Sequence, residues 1–253
     1  MPGVHYCEVA ENIKLNDAAH AVTVRCGELA RSARAGQFIH VRCSEALILR
    51  RPISICGTEG DNLRFVFEIK GKGTRRLSES GPGCKLDILG PLGNGFAVPD
   101  GNILVVGGGV GAPPLLFAAG SAKGNVTAVL GFRESGRVIL RDEFEAVCGK
   151  VFITTDDGSL GVKGTVAGPV EELIKNGDFA AVLTCGPRVM MSAVARLCEK
   201  YGVPCQASLE ERMGCGVGAC LVCACATERD GARRMSRVCR DGPVFDAREV
   251  VWD

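Results

Sequence analysis

Ile103-Leu104-Val105-Val106-Gly107-Gly108-Gly109-Val110-Gly111-Ala112-Pro113-Pro114 is the stretch that decides the fold. Four apolar residues without alternation read as a strand buried on both faces, and glycines running into proline read as a tight turn that opens a helix. Residues 103–122 are uncharged and long enough to span a membrane. Their five glycines and Pro113-Pro114 make a poor membrane helix, so strand, glycine turn and helix is the better reading. A phosphate suits the backbone amides at such a helix start, although glycine-rich turns also arise for packing alone.

Working outward, apolar strand runs at 103–106, 126–131, 151–155, 181–184 and near 205–209 alternate with helical patterns. This predicts a doubly wound parallel sheet of nucleotide-binding type over residues 99–209. In the helix expected at 188–200, Val189, Met190, Ala193, Val194 and Leu197 recur as a core-facing stripe. Glu134 lies at a distance suited to a ribose hydroxyl, but neighbouring Arg133 leaves NAD against NADP open.

Before Pro99-Asp100-Gly101-Asn102 the character is different. Val22, Val24 and Cys26 alternate with polar residues, as do Leu63, Phe65, Phe67 and Ile69, and turns such as Gly57-Thr58-Glu59-Gly60-Asp61-Asn62 separate short runs. Residues 1–98 therefore read as an antiparallel β-barrel, a closed sheet without exposed edges. Within it, Arg51-Pro52-Ile53-Ser54 sets a cation, a fixed φ and a hydroxyl side by side, and Lys70-Gly71-Lys72-Gly73-Thr74 adds a second phosphate-suited patch.

The tail, 210–253, is rich in cysteine and glycine and too short to bury a core of its own. Cys215, Cys220 and Cys223 form a C-x4-C-x2-C run, with Cys239 following after fifteen intervening residues. That is the plant-type spacing for a two-iron cluster, whereas zinc sites usually pair two short cysteine arms. A zinc-stapled, non-catalytic binding module remains the alternative from another class. Gly216 and Gly218 let the loop bend close to the cluster, and Cys225 reads as a small buried apolar residue.

The 30 basic residues balance 29 acidic ones, so charge recommends neither nucleic acid nor an anionic membrane as a partner. Although there are 14 cysteines, Met1-Pro2-Gly3-Val4-His5-Tyr6-Cys7-Glu8 lacks the apolar core of a signal peptide. Reduced thiols in the cytoplasm are the expectation.

The succession of Arg51-Pro52-x-Ser54, Gly73-Thr74, Gly90-Pro91-Leu92-Gly93-Asn94-Gly95-Phe96, Gly107-Gly108-Gly109-Val110-Gly111, Cys185-Gly186-Pro187 and the cysteine run resembles the electron-transfer subunits of type B dihydroorotate dehydrogenases. These belong to the ferredoxin-reductase superfamily, and the resemblance extends almost end to end, through Asp241-Gly242-Pro243-Val244-Phe245. It implies FAD contacts at Arg51, Pro52, Ile53, Ser54, Gly73 and Thr74, with Val66, Phe67 and Glu68 lying along the flavin. Glu68 departs from the aromatic and basic residues common there, so only backbone contact carries over to that strand. Cys215, Cys220, Cys223 and Cys239 would be the cluster ligands, although the last interval is one residue longer than in some relatives. Cys185-Gly186-Pro187 would approach the nicotinamide.

The implied activity is a relay in which FAD, able to handle electrons in pairs or singly, connects NAD(H) to a 2Fe-2S cluster. From the cluster, electrons pass to or from FMN in a separate dihydroorotate dehydrogenase subunit, serving pyrimidine (UMP) synthesis, with a heterotetramer as the assembly. No side chain of this chain is required as a catalytic acid or base. Sulfide dehydrogenase, ferredoxin-NADP reductase and hydrogenase subunits of related build form the runner-up reading.

Overall fold

The computed structural model describes residues 3–252; residues 1, 2 and 253, which fall in the expected barrel and tail spans, lie outside them. The N-terminal half forms β1 (Gly3–Lys14), β2 (Ala19–Arg25), α1 (Gly27–Ser32), β3 (Phe38–Arg42), β4 (Arg51–Glu59), β5 (Asn62–Glu68), α2 (Lys72–Ser78) and β6 (Lys85–Leu92). The six strands close into an antiparallel barrel in the order β1-β2-β5-β4-β3-β6, with β6 returning to β1. Period-two alternation explains its core: Val22, Val24, Ile39, Val41, Ile53, Leu63, Phe65 and Phe67 are buried inside. Val66 is buried too, on the opposite face, where the barrel wall packs against the neighbouring sheet unit.

That unit comprises β7 (Ile103–Gly108), α3 (Ala112–Ser121), β8 (Val126–Phe132), α4 (Arg141–Val147), β9 (Lys150–Thr155), β10 (Val162–Lys163), α5 (Ala167–Asn176), β11 (Ala181–Cys185), α6 (Arg188–Tyr201) and β12 (Cys205–Ser208). Its strands run β10-β9-β8-β7-β11-β12 and pair in parallel, as the uninterrupted apolar runs require. Ile103, Leu104, Val105 and Val106 are all completely buried. The start of α3 and its apolar face, with Ala112, Leu115 and Ala118, join Ala19, Ala21, Cys56 and Val66 of the barrel in one apolar cluster.

Two details differ from the sequence reading. The buried face of α6 is Met191, Val194, Ala195 and Cys198, a clean i, i+3, i+4, i+7 set, while Val189 is 82% exposed and Met190, Ala193 and Leu197 lie at the margin. A stripe drawn through residues of similar hydropathy was rotated by about one position from the face that meets the sheet. The tail also builds more than a separate module. After the hairpin β13 (Ala224–Arg229) and β14 (Ala232–Arg237), β15 (Val244–Asp246) pairs antiparallel with β12 as a seventh strand of the sheet. Cys223, Cys225, Val238, Cys239 and Phe245 thereby share one core with Leu104, Val106 and Val182.

Among the described residues, no helix is long and apolar enough to cross a membrane.

Candidate functional site

The chain order leaves β7 towards β8 on one side and returns to β11 on the other, so the sheet has its topological switch between β7 and β11. Crevices for ligands open at the carboxyl ends of such strands. The glycine turn follows β7 there, and Cys185-Gly186-Pro187 follows β11 beside it. Contact between these turns is close enough to demand glycine. A Cβ on Gly111 would run into the backbone of Cys185 and lie 2.6 Å from the Gly186 nitrogen, and one on Gly108 would meet Pro187 Cδ and Met190 Sδ at 2.7 Å. Gly109, at φ +53°, faces open space instead, leaving its backbone accessible to a phosphate. Glu134 follows β8 and pairs with Arg137 at 3.6 Å.

On the barrel, the register sets Phe38 opposite Ser54, Ile39 opposite Ile53 and His40 opposite Pro52. Opposed residues share a face, so Phe38, His40, Pro52 and Ser54 look outward while Ile39 and Ile53 fill the interior. Of the residues expected around FAD, Arg51 and Gly73 are brought together: a Cβ on Gly73 would lie 2.7 Å from Arg51 Nε. Thr74 Oγ1 accepts from the amides of Lys70 (2.9 Å) and Gly71 (3.2 Å), fixing the start of α2. The side chains of Ile53, Val66 and Phe67 are buried, so at these positions only backbone is available to a ligand. Glu68 is half-buried and pairs with Lys70 at 3.8 Å. The arrangement fits a flat ring system with a phosphate tail, bound along β4 and ending at Arg51, Gly73 and Thr74.

The structure joins the four cysteines in two pairs, and among the described residues no group of three or more possible metal ligands is gathered at one point. Cys215 and Cys220 are linked by the Cys215 amide donating to Cys220 Sγ (3.3 Å), and Cys239 donates its amide to Cys223 Sγ (3.4 Å). Cys215 Sγ also accepts from the amides of Val217 (3.4 Å), Ala219 (3.3 Å) and Cys220 (3.4 Å). Burial pushes the Cys215 thiol up, but the amides of Val217, Cys220 and Ala219 outweigh it and bring it down to about 6. Burial and the hydrogen bond with Cys223 push Cys239 up to about 12, whereas coordination to iron would hold either thiol deprotonated. Two thiol pairs in a nest of amide donors fit a dinuclear iron-sulfur group, two cysteines to each iron. Gly216 and Gly218 have φ of +73° and +83°, the left-handed conformation that the loop needs. Cys225 is buried in the shared core.

Two features escaped the sequence reading. Residues 90–96 and 241–245, noted separately as motifs, interlock: Asn94 Nδ2 donates to the carbonyls of Arg240 (3.2 Å) and Asp241 (3.0 Å), and its amide donates to Gly242 O (2.7 Å). The other is His40. It is fully buried, neither ring nitrogen has a hydrogen-bond partner among the described residues, and a Cβ on Gly216 would sit 2.7 Å from its Nδ1. Burial, and then the nearby charges of Arg50 and Arg51, lower its pKa to about 4. The only sequence signal was a histidine within Phe38-Ile39-His40-Val41.

A closed barrel packed on a parallel sheet with a crevice at its switch point, joined to a thiol-bearing tail, defines the ferredoxin-reductase class of flavoprotein. The computed structure superimposes on that of an NADH-dependent reduced ferredoxin-NADP oxidoreductase, studied for flavin-based electron bifurcation, with a TM-score of 0.88. The two are 32% identical, over 100% of this chain and 92% of the other. At 16% identity and a TM-score of 0.64, a Neisseria gonorrhoeae ferredoxin NADP+ reductase with bound FAD and NADP shares the fold over 79% of this chain and 92% of its own. Residues 210–251 match the family described as the iron-sulfur cluster binding domain of dihydroorotate dehydrogenase B. Curated relatives named dihydroorotate dehydrogenase B (NAD(+)), electron transfer subunit, span nearly the whole length. The protein from Caldanaerobacter subterraneus subsp. tengcongensis is 43% identical over 86% of this chain and 87% of its own. That from Geobacillus thermodenitrificans is 38% identical over 99% and 100%. The chain belongs to the family of electron transfer subunits of dihydroorotate dehydrogenase B.

Proposed function

We propose that this chain carries electrons between NAD(H) and the FMN of a partner dihydroorotate dehydrogenase subunit, in pyrimidine (UMP) biosynthesis in the cytoplasm. Bound FAD supplies the conversion between the two-electron chemistry of a nicotinamide and the one-electron chemistry of an iron-sulfur cluster. The chain itself binds and aligns. Arg51, Pro52, Ser54, Gly73 and Thr74, with the backbone of Ile53, Val66, Phe67 and Glu68, hold FAD on the outer barrel face. The glycine turn after β7 and Cys185-Gly186-Pro187 present the nicotinamide to it. Cys215, Cys220, Cys223 and Cys239 hold a 2Fe-2S group. Spans 1–98, 99–209 and 210–253 carry FAD, NAD and cluster respectively.

The observation that supports this reading is the approach of the cysteine-bearing loop, through Gly216 next to Cys215, to His40 on the barrel face that also bears Pro52 and Ser54. Around exposed Cys220, the exposed side chains of Val217, Leu221 and Val222 form an apolar rim suited to a partner surface. A heterotetramer of two such chains and two FMN subunits follows from a symmetric assembly of the pair.

Co-purification with the catalytic subunit encoded by the same organism, followed by an assay of orotate-dependent NADH oxidation, tests cofactors, partner and substrate together. Purified complex with FAD and acid-labile sulfide but no orotate-linked turnover would refute the partner assignment. The second reading, a ferredoxin-NADP reductase or related sulfide dehydrogenase or hydrogenase subunit, is favoured by the 32% identity to the NADH-dependent reduced ferredoxin-NADP oxidoreductase. Ferredoxin-linked turnover in place of orotate turnover would establish it. A colourless preparation holding zinc would instead select the binding module.

A further inference from the structure

His40 is a side chain that touches both halves of the proposed relay. It lies on β3 directly opposite Pro52, on the outward face shared with Ser54, and its ring packs edge-on to Phe38 with 6.2 Å between centroids. From the other side the backbone of Gly216, next to Cys215, closes over the imidazole so tightly that a Cβ there would lie 2.7 Å from Nδ1 and 3.0 Å from Cε1. The ring is completely buried, yet neither nitrogen has a partner among the described residues. A neutral imidazole always carries one N–H, and a buried donor without an acceptor is costly enough to be rare. Something else accepts from it.

We propose that His40 is a positioning residue that spans the flavin face and the cluster-holding loop, donating its ring N–H to a sulfur atom of the iron-sulfur group held by Cys215 and its fellow ligands. The inference rests on the cluster reading above. Three points support it. Sulfur is the acceptor chemistry that the loop against His40 brings, whereas the flavin-side neighbours Phe38 and Pro52 offer no side-chain acceptor. A hydrogen bond to a cluster sulfur stabilises added negative charge and so raises the reduction potential. Among the described residues, the N–H donors to Cys215, Cys220 and Cys223 Sγ are backbone amides, which substitution leaves in place, so a histidine N–H would be a donor through which this potential can be tuned.

The test uses the full chain in complex with its native partner. Iron and acid-labile sulfide are measured first, because wild-type protein without a cluster overturns the cluster reading and this inference with it. Wild-type protein labelled with 15N-histidine is then examined by pulsed EPR in the reduced state; with only three histidines in the chain, assignment is direct. The expected result is a 15N hyperfine coupling that disappears in His40→Gln. In His40→Leu with full cluster content, the ratio of reduced to oxidised cluster at a fixed ambient potential should fall about tenfold, which is about 59 mV for a one-electron couple. His40→Gln, which keeps an N–H donor, should shift less. A loaded wild-type cluster without histidine coupling, or a loaded His40→Leu variant with unchanged potential, overturns the inference while leaving the cluster reading intact. Should the variants fail to assemble, the wild-type coupling decides by itself.

Discussion

Gly111→Ala offers a sharp test of the crevice at the switch point, because the added methyl has nowhere to go. Its Cβ would overlap the carbonyl group of Cys185 and stand 2.6 Å from the Gly186 nitrogen, where non-bonded heavy atoms prefer about 3.5–4.0 Å. All three obstructing atoms are backbone at the end of β11, so no rotamer change relieves them. Overpacking of a tight site costs about 1–3 kcal/mol, and a clash confined to backbone belongs at the upper end. About 3 kcal/mol is roughly a hundredfold in the folding equilibrium, since each 1.4 kcal/mol is tenfold. Relief by separating the two turns widens the crevice, so KM for NADH should rise while FAD and iron content stay unchanged. Urea unfolding of the purified protein together with steady-state NADH kinetics measures both effects. Two neighbours calibrate them. Gly109→Ala meets no atom within 4 Å and carries only the cost of φ +53°, about 1 kcal/mol, whereas Gly120→Ala, exposed within α3, should stabilise by about 0.5–1 kcal/mol. A Gly111→Ala protein within about 0.5 kcal/mol of wild type and with unaltered KM would refute the packing argument, because surface-like substitutions fall in that range.

Further outcomes can be checked in the same preparations. Cys220→Ser should abolish cluster assembly, read as loss of iron and acid-labile sulfide, and unchanged iron would reject the ligand set. Thr74→Val removes the acceptor of the Lys70 and Gly71 amides, costing about 1 kcal/mol, and should lower flavin occupancy after gel filtration. Asn94→Ala deletes two hydrogen bonds to the carbonyls of Arg240 and Asp241, about 1–3 kcal/mol in all, and should speed amide exchange across residues 238–243. Asn12 Nδ2 donates to Ser78 and Ser80, so its Oδ1 accepts from His20 Nδ1, and burial, then Lys14, holds the His20 pKa below 6.5. The folded state then binds fewer protons than the unfolded one just below pH 6.5, so stability should fall as pH drops through that window. The loss between pH 7 and pH 5 should be smaller in His20→Gln, by urea denaturation.

Local patterns were legible because they follow from one element at a time. Alternation at Leu63, Phe65 and Phe67 reported the barrel interior, the unbroken run Ile103-Leu104-Val105-Val106 reported a strand covered on both sides, and the cysteine spacing singled out thiols that the structure joins in the pairs Cys215–Cys220 and Cys223–Cys239. Features that depend on which distant segments meet were silent. Val66 is buried by another unit, so it breaks the alternation around it. Hydropathy blurred the boundary between the margin and the centre of the buried face of α6, where Ser192 is 8% exposed and Val189 82%. Three residues, Val244 to Asp246, are too few to announce a strand, and they become one because β12 offers an open edge. His40 and Asn94 acquire their meaning from Gly216, Arg240 and Asp241, separated from them by more than a hundred residues.

The clamp between Asn94 and residues 240–242, together with the final strand beside β12, has a bearing on how the protein is born. During translation the barrel and most of the sheet emerge well before their fastening arrives, leaving the edge of β12 open and the outward ring of His40 bare to solvent. Insertion of iron can therefore succeed only once Cys239 and the strand at 244–246 have emerged. Chains cut before Cys239 should be yellow and sticky, and chaperones and proteases should recognise them as incomplete.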